Sequence, residues 1–464
     1  MHAGSVPTAD ALLARLRHQG RQSSSTLLTA LGISRPTLAR AVAATPGVVR
    51  LGKARATQYA LARAIRGEWQ WPLYRLDADA RVQPLGMLLA LDRGEFAFVS
   101  EAHPASLPPA SLLHPPFEQG IYPDVPWFLD DLRPNGFLGR TYAHRMADAL
   151  RLPGDLARWD SGHVITALLH GGSAQTGDLI LGDAALERAL RERLDPPDRV
   201  TMAERAVRYP RMADDVLQGE PPGSSPGGEQ AKFTATIEAG DRRHAAIVKF
   251  SIAGSSAAAR RWASLLRCEA LAGQVLSAHG LPAAQAALVE ADGQVFLESR
   301  RFDRSDDVLG RRGFVSLSAI ATAFFAEASL PWWQLARRLE ADGWIDAGTA
   351  TQLSRLHWFG ALIANSDMHL GNAGLVLTDT LPLRAAPAYD MLPMWLRPGA
   401  QGHVAIRDYA VPIPPAGQVD AWRWAAHAAC DFWRQVQRLD AVEADVRQFA
   451  QRIERDIREM TARF

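Results

Sequence analysis

Leu12, Leu13 and Leu16 recur at helical spacing in ADALLARLRHQ (9–19), which predicts an amphipathic helix. Ser23, Ser24 and Ser25 offer hydroxyls to cap a second helix, TLLTALG (26–32), which Gly32 ends. Ser34 offers the same cap to a third, RPTLARAVAATPG (35–47), with Pro36 in its first turn, where a missing N–H costs nothing. Beyond Gly47 the apolar period shortens to two. VVRL (48–51) and TQYAL (57–61) predict strands around a basic GKAR tip. Three helices and a hairpin in this order predict a winged helix-turn-helix over residues 1–66.

GEWQWPLYRL (67–76) reads as a linker into a new unit. RVQPLGMLLALDRGEFAFVS (81–100) breaks into short strand-like runs, with turns at Pro84 and Arg93-Gly94. A Pro-rich loop and a helical stretch ending in YAHRMADAL follow. AKFTATIE (231–238) and RHAAIVKFS (243–251) predict a strand pair, and ARRWASLLRCEALAGQVLSAHG (259–280) a helix. Residues 314–360 and 418–464 are mostly helical in pattern, and their tryptophans (332, 333, 344, 358, 422, 424 and 433) fit a helical core better than a base-stacking platform.

A chain of 464 residues is too long for one ordinary core. Its 47% hydrophobic and 22% charged residues are those of a folded soluble protein. No apolar run reaches bilayer length, and the N-terminus has no basic segment followed by an apolar one. Two cysteines, Cys268 and Cys430, fit a reducing cytoplasm and give neither a disulfide framework nor a zinc site. A cytoplasmic protein with no membrane partner is expected. Charge adds more. Residues 1–66 hold ten Lys and Arg against one acid, Asp10, an excess of nine positive charges, so the rest carries an excess of eight negative ones within a net charge of +1. A basic head on an acidic body points to double-stranded DNA as the head's partner. The third helix would bring Arg35, Thr37 and Arg40 to base edges and phosphates. The wing would bring Arg50, Lys53 and Arg55 to the backbone or minor groove. Helix order alone leaves a protein-contact module open.

GEPPGSSPGGEQ (219–230) leads into the strand pair. Backbone N–H groups at Gly227-Gly228 can approach phosphate oxygens free of Cβ interference. Lys232 and Lys249 lie on the two strands, and Glu269 on the following helix can pair with one of them. A flexible linker is the plainer reading of 219–230 alone. Gly171-Gly172 reads as a structural turn, since no lysine follows at phosphate-loop spacing. In NSDMHLGNAGLV (365–376), Asn365, Asp367, His369 and Asn372 sit between two apolar segments. Phosphoryl transfer to a hydroxyl needs an acid for the hydroxyl proton, oxygens for Mg²⁺ and cations on the phosphates. Asp367 and Asn372 have the spacing of a kinase catalytic loop, and AYDMLP (388–393) supplies a second acid, Asp390. For any one of these residues a polar turn is the plainer reading; their joint order favours a nucleotide site. A metal site on His369 and Asp367 lacks a second His or Cys at ligand spacing.

These stretches, with SSPGGEQAKF (224–233), CEALAGQVLSAHGLPAAQAAL (268–288), ESRRFDR (298–304) and WFLDDLRPNGFLGR (127–140), resemble the HipA family of serine/threonine kinase toxins over roughly residues 72–440. A HipA-like body behind a fused DNA-binding head is similar to its YjjJ-like subgroup. The resemblance implies an α+β, two-lobed kinase-like fold behind the winged helix. It divides the chain into 1–66, a β-rich subdomain over 72–155, a kinase N-lobe with the Gly-rich loop over 156–310, and a helical C-lobe over 311–464. It implies ATP and Mg²⁺ as cofactors, Asp367 as catalytic acid/base with His369 beside it, and Asn372 and Asp390 as metal ligands. Lys249 would contact the ATP phosphates with Lys232 closing the loop over them, and Ser299–Phe302 would form the hinge near adenine. Ser225 matches the family's autophosphorylated loop serine. A protein substrate is implied, with an aminoacyl-tRNA synthetase as the family's precedent, and a separate antitoxin partner is left open. The residues also leave two other functions open: a nucleotide-sensing transcriptional regulator and a small-molecule kinase.

Overall fold

The structure, a computed structural model, describes residues 6–100, 110–171, 175–218, 230–327, 329–399 and 401–463. At the N-terminus, helices Val6–Gln19, Ser24–Leu31 and Arg35–Ala44 precede strands Val48–Leu51 and Gln58–Leu61. The last strand is central in a small sheet, flanked by Val48–Leu51 and by Gln22–Ser23. Ser23 Oγ accepts from the Thr26 N–H (3.0 Å) and Ser34 Oγ from the Thr37 N–H (3.4 Å). Gly32 closes its helix in the left-handed region at φ 62°. Leu12, Leu16, Leu27, Leu38 and Tyr59 form the core beneath. The hairpin's other face does not meet solvent. Val49, Leu51 and Ala60 pack on Leu89, Leu91 and Ala97 of the next unit, and Arg21 pairs with Glu95 beside them.

That next unit is a five-stranded antiparallel sheet. Its order is Ile121–Tyr122, Phe96–Ser100, Val82–Ala90, Gln70–Leu76 and Leu179–Leu181. Two local expectations fail here. The segment expected as a linker holds strand Gln70–Leu76, whose Trp71 and Leu73 are buried. Pro84 lies inside Val82–Ala90 rather than at a turn. The register slips there, with Tyr74 opposite Pro84 but Leu73 opposite Gly86, and such a bulge is where a strand tolerates the N–H that proline lacks. Leu73–Arg75 pair with Leu179–Leu181, and helix Asp183–Leu194 packs on the same sheet. Residues 156–194 therefore lie with the first sheet, on the other side of the boundary expected at 155/156.

A second five-stranded sheet runs Ala286–Ala291, Gln294–Arg300, Arg242–Phe250, Lys232–Ala239 and Arg199–Thr201, antiparallel except for the last pair. The 22-residue helix Ala257–Ala278 packs on it, started by Ser256, whose side chain accepts from the Ala259 N–H. Helices Trp332–Ala341, Ala347–Leu362, Val419–Gln437 and Ala444–Thr461 form most of the C-terminal part. Trp332, Trp344, Trp358, Trp422 and Trp433 are buried in its core. A small sheet of Val315–Ser316, Gly374–Val376 and Arg384–Ala385 lies against helix Ala347–Leu362. Among the described residues no helix is long and apolar enough to cross a membrane.

Candidate active site

Antiparallel pairing sets Lys232 directly opposite Lys249. Lys249 is 5% exposed. Its Nζ lies 2.5 Å from Glu269 Oε1 and also bonds Asp390 Oδ1. Glu269 comes from the long helix behind the sheet. Asp390 comes from the C-terminal part, with its backbone in the left-handed region at φ 55°, which aspartate tolerates better than most residues. Burial pushes the Lys249 ammonium down, but Asp390 and Glu269 outweigh it and hold the pKa above the usual lysine range. Burial raises Glu269 despite Lys249. For Asp390 burial is outweighed by Lys249 and Lys232, and its carboxyl is held down at about 2. Lys249 and Asp390 therefore face each other as a charged pair, with Glu269 bonded to the same ammonium and its Oε2 buried and without a hydrogen-bond partner among the described residues.

Helix Ala347–Leu362 delivers the polar loop. Ala364 turns out of it at φ 57°, and the Asn365 side chain then holds two segments. Its Oδ1 accepts from the Asp367 N–H (3.0 Å), and its Nδ2 donates to the Asp390 carbonyl (3.2 Å). Asn372 Nδ2 donates to the Asp367 carbonyl (2.8 Å), closing the five-residue interval. Tyr389 Oη donates to the Gly371 carbonyl (2.7 Å), and Trp332 Nε1 to that of His369 (3.2 Å). His369 is exposed, and its Nδ1 accepts from the Gly371 N–H (3.1 Å).

Lys232, Lys249, Asp367, His369, Asn372 and Asp390 all line one cleft of about 1050 Å³. Phe302 forms another part of its wall, 5.7 Å between centroids from both Phe314 and Tyr389. Ser225, Gly227 and Gly228 lie outside the described residues. Gln230, the first described residue after them, lines the cleft with its Nε2 buried and unpartnered among the described residues. Those residues contain no group of three or more His, Cys, Asp or Glu fit to hold a metal. A hard cation here would rest on one carboxylate, one amide oxygen, water and phosphate, which is how Mg²⁺ is commonly held. The donor set fits that ion and a polyphosphate.

Asn365, Tyr389 and Asp303 were not singled out as site residues. Asn365 had a signal: an Asn two residues before Asp367 can form an Asx turn with its N–H. Asp303 had none, because its partners are remote. It is buried with Arg301 and Arg304, accepts from the Gly177 N–H (2.9 Å), and so ties the first sheet's unit to the segment after Gln294–Arg300. Burial would raise its pKa, but the two guanidinium groups hold it below the usual carboxylate range.

Arg35, Arg40, Arg50, Lys53 and Arg55 are exposed and make no ion pair among the described residues; Thr37 is half-buried and 3.5 Å from Arg40 Nη2. The first two and Thr37 lie on helix Arg35–Ala44, the others on and beyond Val48–Leu51.

Residues 67–190 match the model for the YjjJ-like toxin middle domain, and residues 224–463 that for the HipA-like C-terminal domain. Toxin YjjJ of Escherichia coli (strain K12) is 34% identical over 446 residues, covering 95% of this chain and 96% of its own. The chain belongs to the YjjJ-like toxins of the HipA family. Solved structures similar to this YjjJ-like chain include Shewanella oneidensis MR-1 HipA, from its complex with HipB and operator DNA (14% identity, 70% of this chain and 86% of that one, TM-score 0.43). Another is the Helicobacter pylori proinflammatory kinase CtkA (12% identity, 52% and 91%, TM-score 0.35). In the YjjJ-like chain, the Lys249 cluster and the Asp367 loop both lie within the HipA-like region.

Proposed function

We propose that this toxin-family protein is an ATP- and Mg²⁺-dependent serine/threonine protein kinase with its own DNA-binding head. The observation that carries the reading is the meeting of Lys249, Glu269 and Asp390 in one cleft with a loop that locks Asp367 to Asn372. Lys249 and Lys232 hold the ATP phosphates, Glu269 keeps Lys249 aimed, and Phe302 with the preceding hinge residues borders the base. Asn372 and Asp390 would hold Mg²⁺, which would supply positive charge to offset that developing on the phosphates. Asp367 orients the acceptor hydroxyl and takes its proton, with His369 beside it. Ser225 is the autophosphorylation site. Its phosphate adds about −2 of charge to the glycine-rich segment proposed to meet ATP and so opposes nucleotide binding.

Residues 1–66 act as a winged helix-turn-helix on double-stranded operator DNA. Nine excess positive charges and a row of exposed basic side chains that make no ion pair among the described residues, on one helix and its hairpin, support this. The body divides after residue 194, between the two large sheets. A protein acceptor, with an aminoacyl-tRNA synthetase as the first candidate, and a separate antitoxin belong to the same reading, as does a cytoplasmic location. Labelled-phosphate transfer from ATP to a panel of proteins tests it. Transfer by wild type that is lost in Asp367→Asn is expected; equal transfer by that variant overturns the assignment.

A further inference from the structure

Asp131 lies in the first sheet's unit, inside the region matching the middle-domain model, on the short 3₁₀ helix Trp127–Leu132. Trp127, Phe128, Leu129 and Leu132 around it are buried, so the carboxylate sits on a rigid element. It lines the same cleft as Asp367 and Asp390. Its Oδ2 accepts from the Ser316 N–H at 2.6 Å, in the HipA-like region. Among the described residues no Lys, Arg or His forms an ion pair with it. Burial, opposed by Ser316, pushes its pKa up to about 6. Asp131 is half-buried at the cleft wall, and a partly desolvated carboxylate without a cation is costly and persists where a site needs it.

What it holds is next to the loop. Ser316 is the strand partner of Gly374, two residues past Asn372, and the Leu317 N–H donates to the Ala373 carbonyl (2.9 Å). Ser316 also starts helix Leu317–Ile320, its Oγ accepting from the Ala319 N–H (3.1 Å). We propose that Asp131 is a positioning residue for phosphoryl transfer: through Ser316 it anchors the strand that fixes Asn372 and so sets the Asp367–Asn372 pair. The middle domain thereby completes the active site instead of only carrying the head. A charged acceptor makes this anchor roughly twice as strong as a neutral one. Misplacement of a catalytic group by about 1 Å can cost about a hundred-fold in rate.

This inference rests on the kinase reading, and its test separates the two. Phosphoryl transfer is measured for wild type, Asp131→Ala and Asp131→Asn, together with amide hydrogen exchange at Ser316 and across 370–376. Asp131→Ala should lower kcat by about ten-fold or more with KM for ATP nearly unchanged, and should speed exchange at Ser316. Asp131→Asn keeps an acceptor and should recover most of the rate, to within about three-fold of wild type. Asp131→Ser, one bond too short to reach Ser316, replaces the alanine variant if that one does not fold. Wild-type rate and Ser316 protection in the alanine variant overturn the inference while leaving the kinase reading standing. Equal loss in Asn and Ala variants overturns it too, because charge rather than the anchor would then be at work. Absence of transfer by wild type brings down the kinase reading and this role with it.

Discussion

Lys249 reaches Glu269 and Asp390 at once, so one ammonium joins a strand, a helix and the C-terminal loop. Removing Glu269 leaves Lys249 paired with Asp390, so the loss is that of a hydrogen bond to a charged group, about 1.5–3 kcal/mol. Glu269→Ala should destabilise the protein by that order, measured as the urea midpoint, while Glu269→Gln should lose less and still weaken ATP binding.

Among the described residues Asn365 makes no hydrogen bond to Asp367's carboxylate, yet it joins that residue's N–H to the Asp390 carbonyl. Asn365→Ala should cost about 1–3 kcal/mol for the buried groups left unpaired. It should lower kcat by about a hundred-fold through misplacement. Steady-state kinetics beside a melting curve checks both.

Glu298 is 5% exposed and accepts from Tyr209 Oη (2.6 Å) and Arg205 Nη1 (3.0 Å), tying helix Arg205–Gln218 to the second sheet. Burial would raise its pKa, but His244, Tyr209 and Arg205 together hold it below the ordinary 4.5. A depressed carboxyl contributes stability above its unfolded pKa and loses it as pH falls through the folded value. Tyr209→Phe should therefore cost about 1–2 kcal/mol near neutral pH. The difference from wild type should shrink as pH falls through the lowered Glu298 carboxyl, beneath the ordinary carboxylate range, as denaturation midpoints on a descending pH series would show.

Lys53 and Arg55 stand at the exposed tip of the hairpin. If each meets a phosphate, Lys53→Ala and Arg55→Ala should each weaken operator and unrelated duplex alike and reduce the salt slope by about one. Arg35→Ala and Arg40→Ala should instead weaken operator more than unrelated DNA. Binding titrations at several salt concentrations distinguish the two outcomes.

Local signals carried much of the architecture. Caps at Ser23 and Ser34, the Gly32 stop and the period-two runs after Gly47 placed the head's elements within a few residues. The strand lysines, Glu269 and the 365–376 loop meet because register and helix packing bring them together. What the chain order hid was long-range pairing. Leu179–Leu181 joins a strand about a hundred residues earlier, so no composition shift marks the unit's end. Pro84 punctuates the sequence like a turn, but a bulge absorbs it. Asp131 and Asp303 work through backbone N–H groups far along the chain, at Ser316 and Gly177, which no motif spacing encodes.

Intact mass of the purified protein before and after incubation with ATP and Mg²⁺, alongside Asp367→Asn and Ser225→Ala, tests the central claim most directly. The account predicts one added phosphate on wild type and none on either variant. A phosphate on Asp367→Asn equal to that on wild type would contradict it.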